Sequence, residues 1–507
     1  MASPMFRSYL VRTALLAIAI CLLHCAGNNS LPLIDRDEPR FAEATREMLQ
    51  RNDWVVPYFN GHYRFDKPPL IYWMQAASVQ VFGENEFAVR FPSAVCAALT
   101  ALVLALWGAR WRGPATGWRA ALIFSLCAQV FMHARASVAD MPMVLAFTLA
   151  AWCLWLTGEG VRRACAGFWV ALALGFLAKG PIAWLPLAAI PFAPIEARRA
   201  LLRPWWRPAL GALVMLGIVA AWGIPALMQT GGEFATIGLG KHVVARSVGI
   251  MEGHGIGGFT GYIVTLPLYV VSVFVSLFPW SCWLPFTVKR WWRTDRHEPL
   301  LRYLGALVLL VFGVFTLVST KLIHYTLPVF PMLALLIAAA WPDRKTHATS
   351  TSAPAPDGTP LIADRSFLKV ALAWTAFTLI AAFALFPIAA KHTPSEILWR
   401  KIEPHITSDT QLATLGYQEP SLVWTLRRKA TGYLDVIKRK NATEWLAKPG
   451  PRLLICESDD VAALLPKIPP PEIEAIPVDG FQIARGKTVH LVVLWKPASK
   501  ISSSSHR

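Results

Sequence analysis

Apolar runs long enough to cross a bilayer recur along most of this chain, and no other feature constrains its fold as tightly. Inside hydrocarbon every backbone amide and carbonyl must find a partner within the protein, so a run of about 20 apolar residues is committed to helix. About eleven such runs can be read, near 8–26, 91–108, 119–133, 141–157, 164–178, 181–195, 208–229, 262–287, 302–319, 324–341 and 367–389. The runs 164–178 and 181–195 are short and separated by Lys179-Gly180-Pro181, so they read as a pair that barely surfaces. A content of 55% hydrophobic and 16% charged residues among 507 places the chain with polytopic membrane proteins. The 22 tryptophans fit an interfacial belt, as at Trp205-Trp206 and Trp291-Trp292.

The formal net charge of +18 follows the topology. With the N-terminus inside, alternate loops carry Arg110, Arg112 and Arg119; Arg162 and Arg163; Arg198, Arg199, Arg203 and Arg207; Lys289, Arg290, Arg293, Arg296 and Arg302; then Arg344, Lys345 and Arg365. The intervening loops hold only isolated bases such as Arg135, Lys179 and Lys321. This is the positive-inside asymmetry. With no basic-plus-aromatic motif in a soluble region, it argues against nucleic acid as a partner and leaves the lipid bilayer in that place. The first run follows Arg7 and includes Arg12, like a signal peptide, but lacks a convincing cleavage site and reads as a retained helix. Of 8 cysteines, all but Cys456 lie in or at apolar runs, and neither a disulfide framework nor a CxxC site is visible.

Two domains follow from this pattern: a multispan core over 1–390 and a soluble domain over 391–507, delivered by the topology count to the outer face. A low-complexity linker interrupts the core between Asp343 and Ser366. In the outer domain 452–456 and 488–494 read as buried strands, with helical stretches near 418–428 and 459–466, which predicts a small α/β fold. That domain lacks paired carboxylates beside phosphate-directed cations, so it is expected to cover the site or shape acceptor choice without supplying a catalytic group.

Ionisable groups concentrate in the outer loops. The first, 27–90, holds Asp35-Arg36-Asp37-Glu38-Pro39-Arg40 and Asp66-Lys67-Pro68-Pro69. Pro39 sits near the start of a helical pattern that Asp37 or Asp35 is placed to cap. Phe41, Ala42, Thr45, Met48 and Leu49 recur at helical spacing opposite Arg40, Glu43 and Glu47, which predicts an amphipathic helix lying on the membrane surface. Further ionisable groups stand at run ends: Asp140 before Met141-Pro142, Lys179, and Lys321 to Tyr325. Such groups are expensive near lipid and tend to face a functional cavity; an N-cap role for Asp140 and simple snorkelling of Lys179 are the structural alternatives. The fourth outer loop, 230–261, places His242 and Arg246 four residues apart, on one face if helical. An imidazole beside a carboxylate is suited to a divalent ion, and an arginine one turn on to phosphate.

These segments resemble a family. Asp37-Glu38-Pro39-Arg40-Phe41-Ala42-Glu43, Asn52-Asp53-Trp54, Asn60-Gly61, Asp66-Lys67-Pro68-Pro69-Leu70 and Tyr72-Trp73 resemble the first periplasmic loop of ArnT-like membrane glycosyltransferases. These include the lipid A aminoarabinose transferases and, more distantly, the protein O-mannosyltransferases. Ala139-Asp140-Met141-Pro142, Lys179-Gly180-Pro181, the Lys321–Pro328 segment and Gly416–Leu422 continue the likeness in order. The resemblance implies a glycosyltransferase C-type core, fed at the periplasmic face of a bacterial inner membrane by a polyprenyl-phosphate sugar. It implies Asp37 as the catalytic carboxylate, with Asp140 as a second catalytic candidate, and Lys67 at the donor phosphate. Arg246, Lys179 and Tyr325 would line the phosphate and sugar pocket. Where aminoarabinose transferases commonly carry a metal-binding Glu this chain has the shorter Asp66, which with His242 forms the best ligand pair for a divalent metal ion.

The expected activity is therefore inverting sugar transfer from an undecaprenyl-phosphate-type donor to lipid A or another envelope lipid or glycan. A protein hydroxyl acceptor, as in the O-mannosyltransferases, and a non-enzymatic lipid transporter or flippase are the alternatives. Transporters commonly carry paired internal repeats, and none is evident here.

Overall fold

A computed structural model of the chain describes residues 4–245, 258–342, 364–464 and 473–498. Almost all of the 343–366 linker lies outside them, as do the glycines around His254. Among the described residues seven helices are long and apolar enough to cross a membrane. They are α1 (Pro4–Cys25), α4 (Glu86–Arg112), α7 (Asp140–Gly158) and the helices Trp206–Gln229, Pro299–Leu317, Ile323–Ala340 and Arg365–Ala390. The chain is a multi-pass membrane protein.

The other four apolar runs are helical in ways that hydropathy does not distinguish. The run 262–287 becomes a pair, Gly261–Ser276 and Trp280–Asp295, bent by 112°. The run 119–133 divides into α5 (Pro114–Ser125) and α6 (Ala128–His133), because Cys127 is extended between them. The run 164–178 lies in α8 (Arg162–Lys179), an 18-residue helix carrying three charged residues. The run 181–195 is a series of short turns from Pro181 to Phe192, punctuated by Pro181, Pro186 and Pro191.

The Ile323–Ala340 helix sits at the centre, with 83% of its apolar window buried against 22% for α1, Trp206–Gln229 and Arg365–Ala390. Those outer helices turn Leu15, Leu22, Leu213 and Leu372 outward, as lipid-facing helices do. α4 and α5 pack backbone to backbone, since a Cβ at Gly117 would collide with the Ala105 carbonyl oxygen.

Two further helices build the loop between α1 and α4: α2 (Asp37–Arg51) and α3 (Leu70–Phe82), joined through the short hairpin β1 (Tyr58–Phe59) and β2 (His62–Tyr63). Here the structure corrects two expectations. Neither Asp35 nor Asp37 caps α2: the N-cap is Arg36, without a side-chain cap, and Asp37 is the first helical residue. Nor does α2 lie with its polar face in water. Glu43, Arg46 and Glu47 are as buried as Phe41 and Met48, because the outer domain covers that face.

The outer domain is a five-stranded mixed sheet of order β4-β3-β5-β7-β6. β3 (Gln411–Leu415) runs parallel to β4 (Leu434–Val436) and β5 (Arg452–Glu457); β7 (Lys487–Lys496) runs antiparallel to β5 and β6 (Glu474–Gln482). The expected strands are β5 and β7, and the expected helices are Pro420–Leu426 and Ser458–Leu464. β5 is buried on both faces. Leu453 and Ile455 pack with Leu398, Ile402 and Leu422 on one side, and Leu454 and Cys456 pack with Trp445 and Leu446 on the other.

Candidate active site

The first helical residue of α2, the start of α7, the end of α8 and the start of Ile323–Ala340 meet at one end of the bundle. Between them is a cavity of about 110 Å³, lined by Asp37, Arg40, Phe41, Arg64, Asp66, Lys67, Val138, Ala139, Asp140, Lys179, Leu322, His324 and Tyr325. Six residues singled out in the sequence therefore share one wall: Asp37, Asp66, Lys67, Asp140, Lys179 and Tyr325. Arg246 lies outside the described residues, as does the side chain of His242.

Asp37 is exposed, and its place is set by its neighbour. Glu38 is buried and receives Arg90 Nε on Oε1 at 2.8 Å and Arg90 Nη2 on Oε2 at 2.7 Å. The same carboxylate accepts the Ser137 and Ile34 amides, each at 2.8 Å. Arg90 also donates to the carbonyls of Asn28 and Leu31 at 2.7 Å. One buried, charge-assisted network thus ties the start of α2 to α4 and to the loop before α7. Asp37 and Glu38 stand at the helix N-terminus, where the helix dipole favours negative charge.

The cations around Asp37 are held as firmly. Lys179 Nζ is 2.5 Å from Asp140 Oδ1 and 5.9 Å from the centre of the Tyr325 ring. Asp140 makes no cap; it is paired, and Lys179 is held by that pair instead of snorkelling to solvent. Lys67 Nζ donates to the Asp66 carbonyl at 3.0 Å. Arg64, buried beneath them, pairs with Asp66 at 2.9 Å, donates to Tyr72 Oη at 3.0 Å and lies over the Phe41 ring. Sequence reasoning named Arg40 and His324 only within larger ionisable segments, and it missed Arg64. The signal was present for Arg64, which stands two residues before Asp66, so both side chains fall on one face of an extended segment. Among the described residues no three His, Cys, Asp or Glu side chains gather as a metal set, and Asp66 already gives an oxygen to Arg64. The described donors alone do not fit a metal centre.

The outer domain reaches the same helix. Arg427, at the end of Pro420–Leu426, pairs with Glu43 and lies 3.0 Å from Glu47 and 3.0 Å from Gln50. Arg46 pairs with Glu43 at 2.5 Å and Glu84 at 2.7 Å, with its guanidinium 3.9 Å from the Trp424 ring centre. Ser421 donates its amide and hydroxyl to Asp35 at 2.8 and 2.7 Å. Burial pushes the Asp35 carboxyl up to about 6 despite these two donors. Burial likewise pushes Glu43 up to about 7, with Arg46 and Arg427 pulling it down.

Comparison with known proteins gives concordant likenesses. A family model for dolichyl-phosphate-mannose-protein mannosyltransferase matches residues 66–224. An undecaprenyl phosphate-alpha-4-amino-4-deoxy-L-arabinose arabinosyl transferase of Pseudomonas paraeruginosa is 31% identical over 350 residues, covering 66% of this chain and 61% of that protein. Its counterpart in Serratia proteamaculans is 32% identical over 334 residues, covering 64% and 58%. The matched region thus spans about three fifths of the length of these relatives. The crystal structure of ArnT from Cupriavidus metallidurans bound to undecaprenyl phosphate superposes with a TM-score of 0.74 at 19% identity, covering 95% of this chain and 97% of that one. The apo structure of the same protein gives 0.69 at 18% identity, covering 97% and 98%.

Proposed function

We propose that the chain is an ArnT-like membrane glycosyltransferase and that it transfers a sugar from an undecaprenyl-phosphate-type donor. The acceptor is a lipid or glycan of the envelope, lipid A among the candidates, and the reaction takes place at the periplasmic face of a bacterial inner membrane. One observation supports this above all: a single exposed carboxylate, Asp37, shares a small cavity with Arg40, Arg64, Lys67 and Lys179. Glycosyl transfer from a phosphate asks for that division of labour, a base for the incoming hydroxyl and cations for the departing phosphate.

In this reading the donor phosphate lies against Lys67 and Lys179. Asp140 is a positioning residue that keeps the Lys179 ammonium aimed into the cavity. The acceptor oxygen bonds to the anomeric carbon as the carbon–oxygen bond to phosphate breaks. The bonding pair leaves with the polyprenyl phosphate, and the hydroxyl proton passes to Asp37. Attack opposite the leaving phosphate inverts the anomeric centre. Burial of Arg64 beneath the cavity strengthens its pull on the developing charge, because little water screens it. The family-model match favours one second reading, in which the acceptor is a protein hydroxyl.

The test is transfer of label from undecaprenyl-phosphate sugars to envelope glycolipids or to Ser/Thr peptides, with the full chain in nanodiscs. Asp37→Asn should lower turnover at least about 100-fold while donor affinity stays near wild type. If Asp37→Asn keeps wild-type turnover, Asp37 is not the base. Label that reaches only peptide moves the reading to the second acceptor class.

A further inference from the structure

A separate cavity of about 670 Å³, which takes no part in the proposed transfer, lies between the end of α7, the start of α8 and the start of the Trp206–Gln229 helix. α7 starts and α8 ends at the candidate active site, through Asp140 and Lys179, and this cavity takes the other end of both. A 19-residue helix rises about 28 Å, so the two sites stand on opposite faces of the membrane. Two helix faces wall the cavity. Arg162, Ala166, Trp169 and Val170 recur at helical spacing on α8, and Arg207, Leu210, Gly211 and Val214 do so on the facing helix. Small residues bring these walls together, since a Cβ at Gly211 would fall 2.1 Å from the Trp169 indole nitrogen. Charge stands only at the mouth. Arg162 and Arg207 are exposed there, in the first turn of their helices, where the helix dipole favours an anion. Among the described residues neither is paired with a carboxylate, and no Asp or Glu lines the cavity. Farther in, the walls are apolar and open sideways: Leu210 is 53% exposed, Val214 42% and Val170 37%, as lipid-facing side chains are.

We propose that this groove binds an anionic glycerophospholipid of the cytoplasmic leaflet. Its phosphate sits between the Arg162 and Arg207 guanidinium groups, and an acyl chain lies along Val170, Leu210 and Val214. The charge asymmetry of the loops puts this end of the bundle inside, where a basic pocket between spanning helices suits an acidic headgroup. Guanidinium is the better cation for the task, because its planar fork matches two phosphate oxygens at once. The volume equals roughly 22 waters at about 30 Å³ each, room for a headgroup and the first part of a chain. A free phosphate would satisfy the arginines but leave the apolar walls uncovered. A polyprenyl donor presents its phosphate at the other end of α7 and α8. The assignment therefore stands whether or not the transferase reading does.

A photo-crosslinking residue at Leu210 reads the occupant directly by mass. The full chain is placed in nanodiscs of phosphatidylglycerol and phosphatidylethanolamine in equal amounts, with undecaprenyl phosphate added. Capture of phosphatidylglycerol should exceed that of phosphatidylethanolamine about tenfold or more, as expected for two arginines against one acidic headgroup. The double variant Arg162→Gln, Arg207→Gln should reduce that preference to about twofold or less. Arg163, Arg198, Arg199 and Arg203 stay in place in it, so the charge asymmetry that orients the chain is kept. Ala166→Phe fills the groove without touching either arginine and should also cut the capture, whereas Arg293→Gln, a charge of the same face outside the groove, should change nothing. Equal capture of the two phospholipids, capture of undecaprenyl phosphate instead, or a preference that survives the double variant would overturn the proposal. Loss of the phosphatidylglycerol adduct in excess inorganic phosphate would reduce the groove to a free-anion site and refute the lipid assignment.

Discussion

Arg427→Met removes the cation through which the outer domain holds α2. Arg427, Arg46, Glu43 and Glu47 are all buried at the end of Pro420–Leu426 and along α2, and Arg427 contacts both glutamates. Removing one partner of a buried ion pair typically costs about 3–5 kcal/mol, since the other charge stays behind without compensation. Methionine keeps most of the arginine's apolar stem, so the loss reports charge more than packing. The cost should depend on pH in a definite direction. Glu43 is pushed up to about 7 against an ordinary 4.5. A folded value above the unfolded one means that the stability tied to Glu43 is complete below about pH 4.5 and is lost as pH rises through about 7. That difference is worth about 3 kcal/mol.

Without Arg427 the folded Glu43 holds its proton still longer, so the variant should lose about 3–5 kcal/mol at pH 8 and less than half of that at pH 5. Hydrogen exchange of the α2 amides, with thermal unfolding of the purified full chain at both pH values, measures the effect. Adding Glu43→Gln should recover much of the loss at pH 8, which gives a coupling energy well above the scatter expected for independent sites. Equal losses at pH 5 and pH 8, or a double variant equal to the sum of the singles, would refute the reasoning.

Other outcomes follow from the same geometry. Lys179→Met leaves Asp140 buried without its partner and should weaken undecaprenyl phosphate binding about tenfold or more, whereas Lys179→Arg should recover part of it; equilibrium binding of the lipid phosphate checks both. Glu38→Gln loosens the start of α2 without touching Lys67 or Lys179, so kcat should fall while donor affinity holds, and parallel losses in the two would argue against a positioning role. Truncation after residue 392 strips the cover from Glu43, Arg46 and Glu47, so protease protection and donor binding should fail together, contrary to what the outer domain's lack of catalytic groups suggests.

How much of this was legible depends on what water and lipid each require. The spanning helices could be read because hydrocarbon admits few alternatives, and breaks such as those at Cys127 and between Ser276 and Trp280 could not, because a bent helix and a straight one carry the same hydropathy. Asp37, Asp66 and Lys67 were visible as ionisable groups concentrated in the first outer loop, and Asp140, Lys179 and Tyr325 as groups at run ends, and alternation of the spans brings that loop and those ends to one face. Arg64, Glu38 and Arg90 were not, because their value lies in partners supplied by distant segments: Tyr72 on α3, the Ser137 amide, and α4 itself.

The misreading of α2 has a further consequence. An amphipathic pattern states that one face is polar; it does not say whether water or a complementary protein surface will solvate it. Here the solvating surface is the outer domain, with Arg427 meeting Glu43 and Glu47 and Ser421 meeting Asp35 two residues before Asp37. A helix in water would fray at its first turn, where Asp37 stands, because the first four amides lack intrahelical partners. Burying the charged face replaces fluctuating water with fixed donors and acceptors, and the Glu38–Arg90 pair fixes the same turn from the opposite side. The outer domain therefore holds the turn that carries Asp37 through a surface more than 380 residues away in the chain, and if Asp37 is the proposed base, that surface would act on the reaction through this turn.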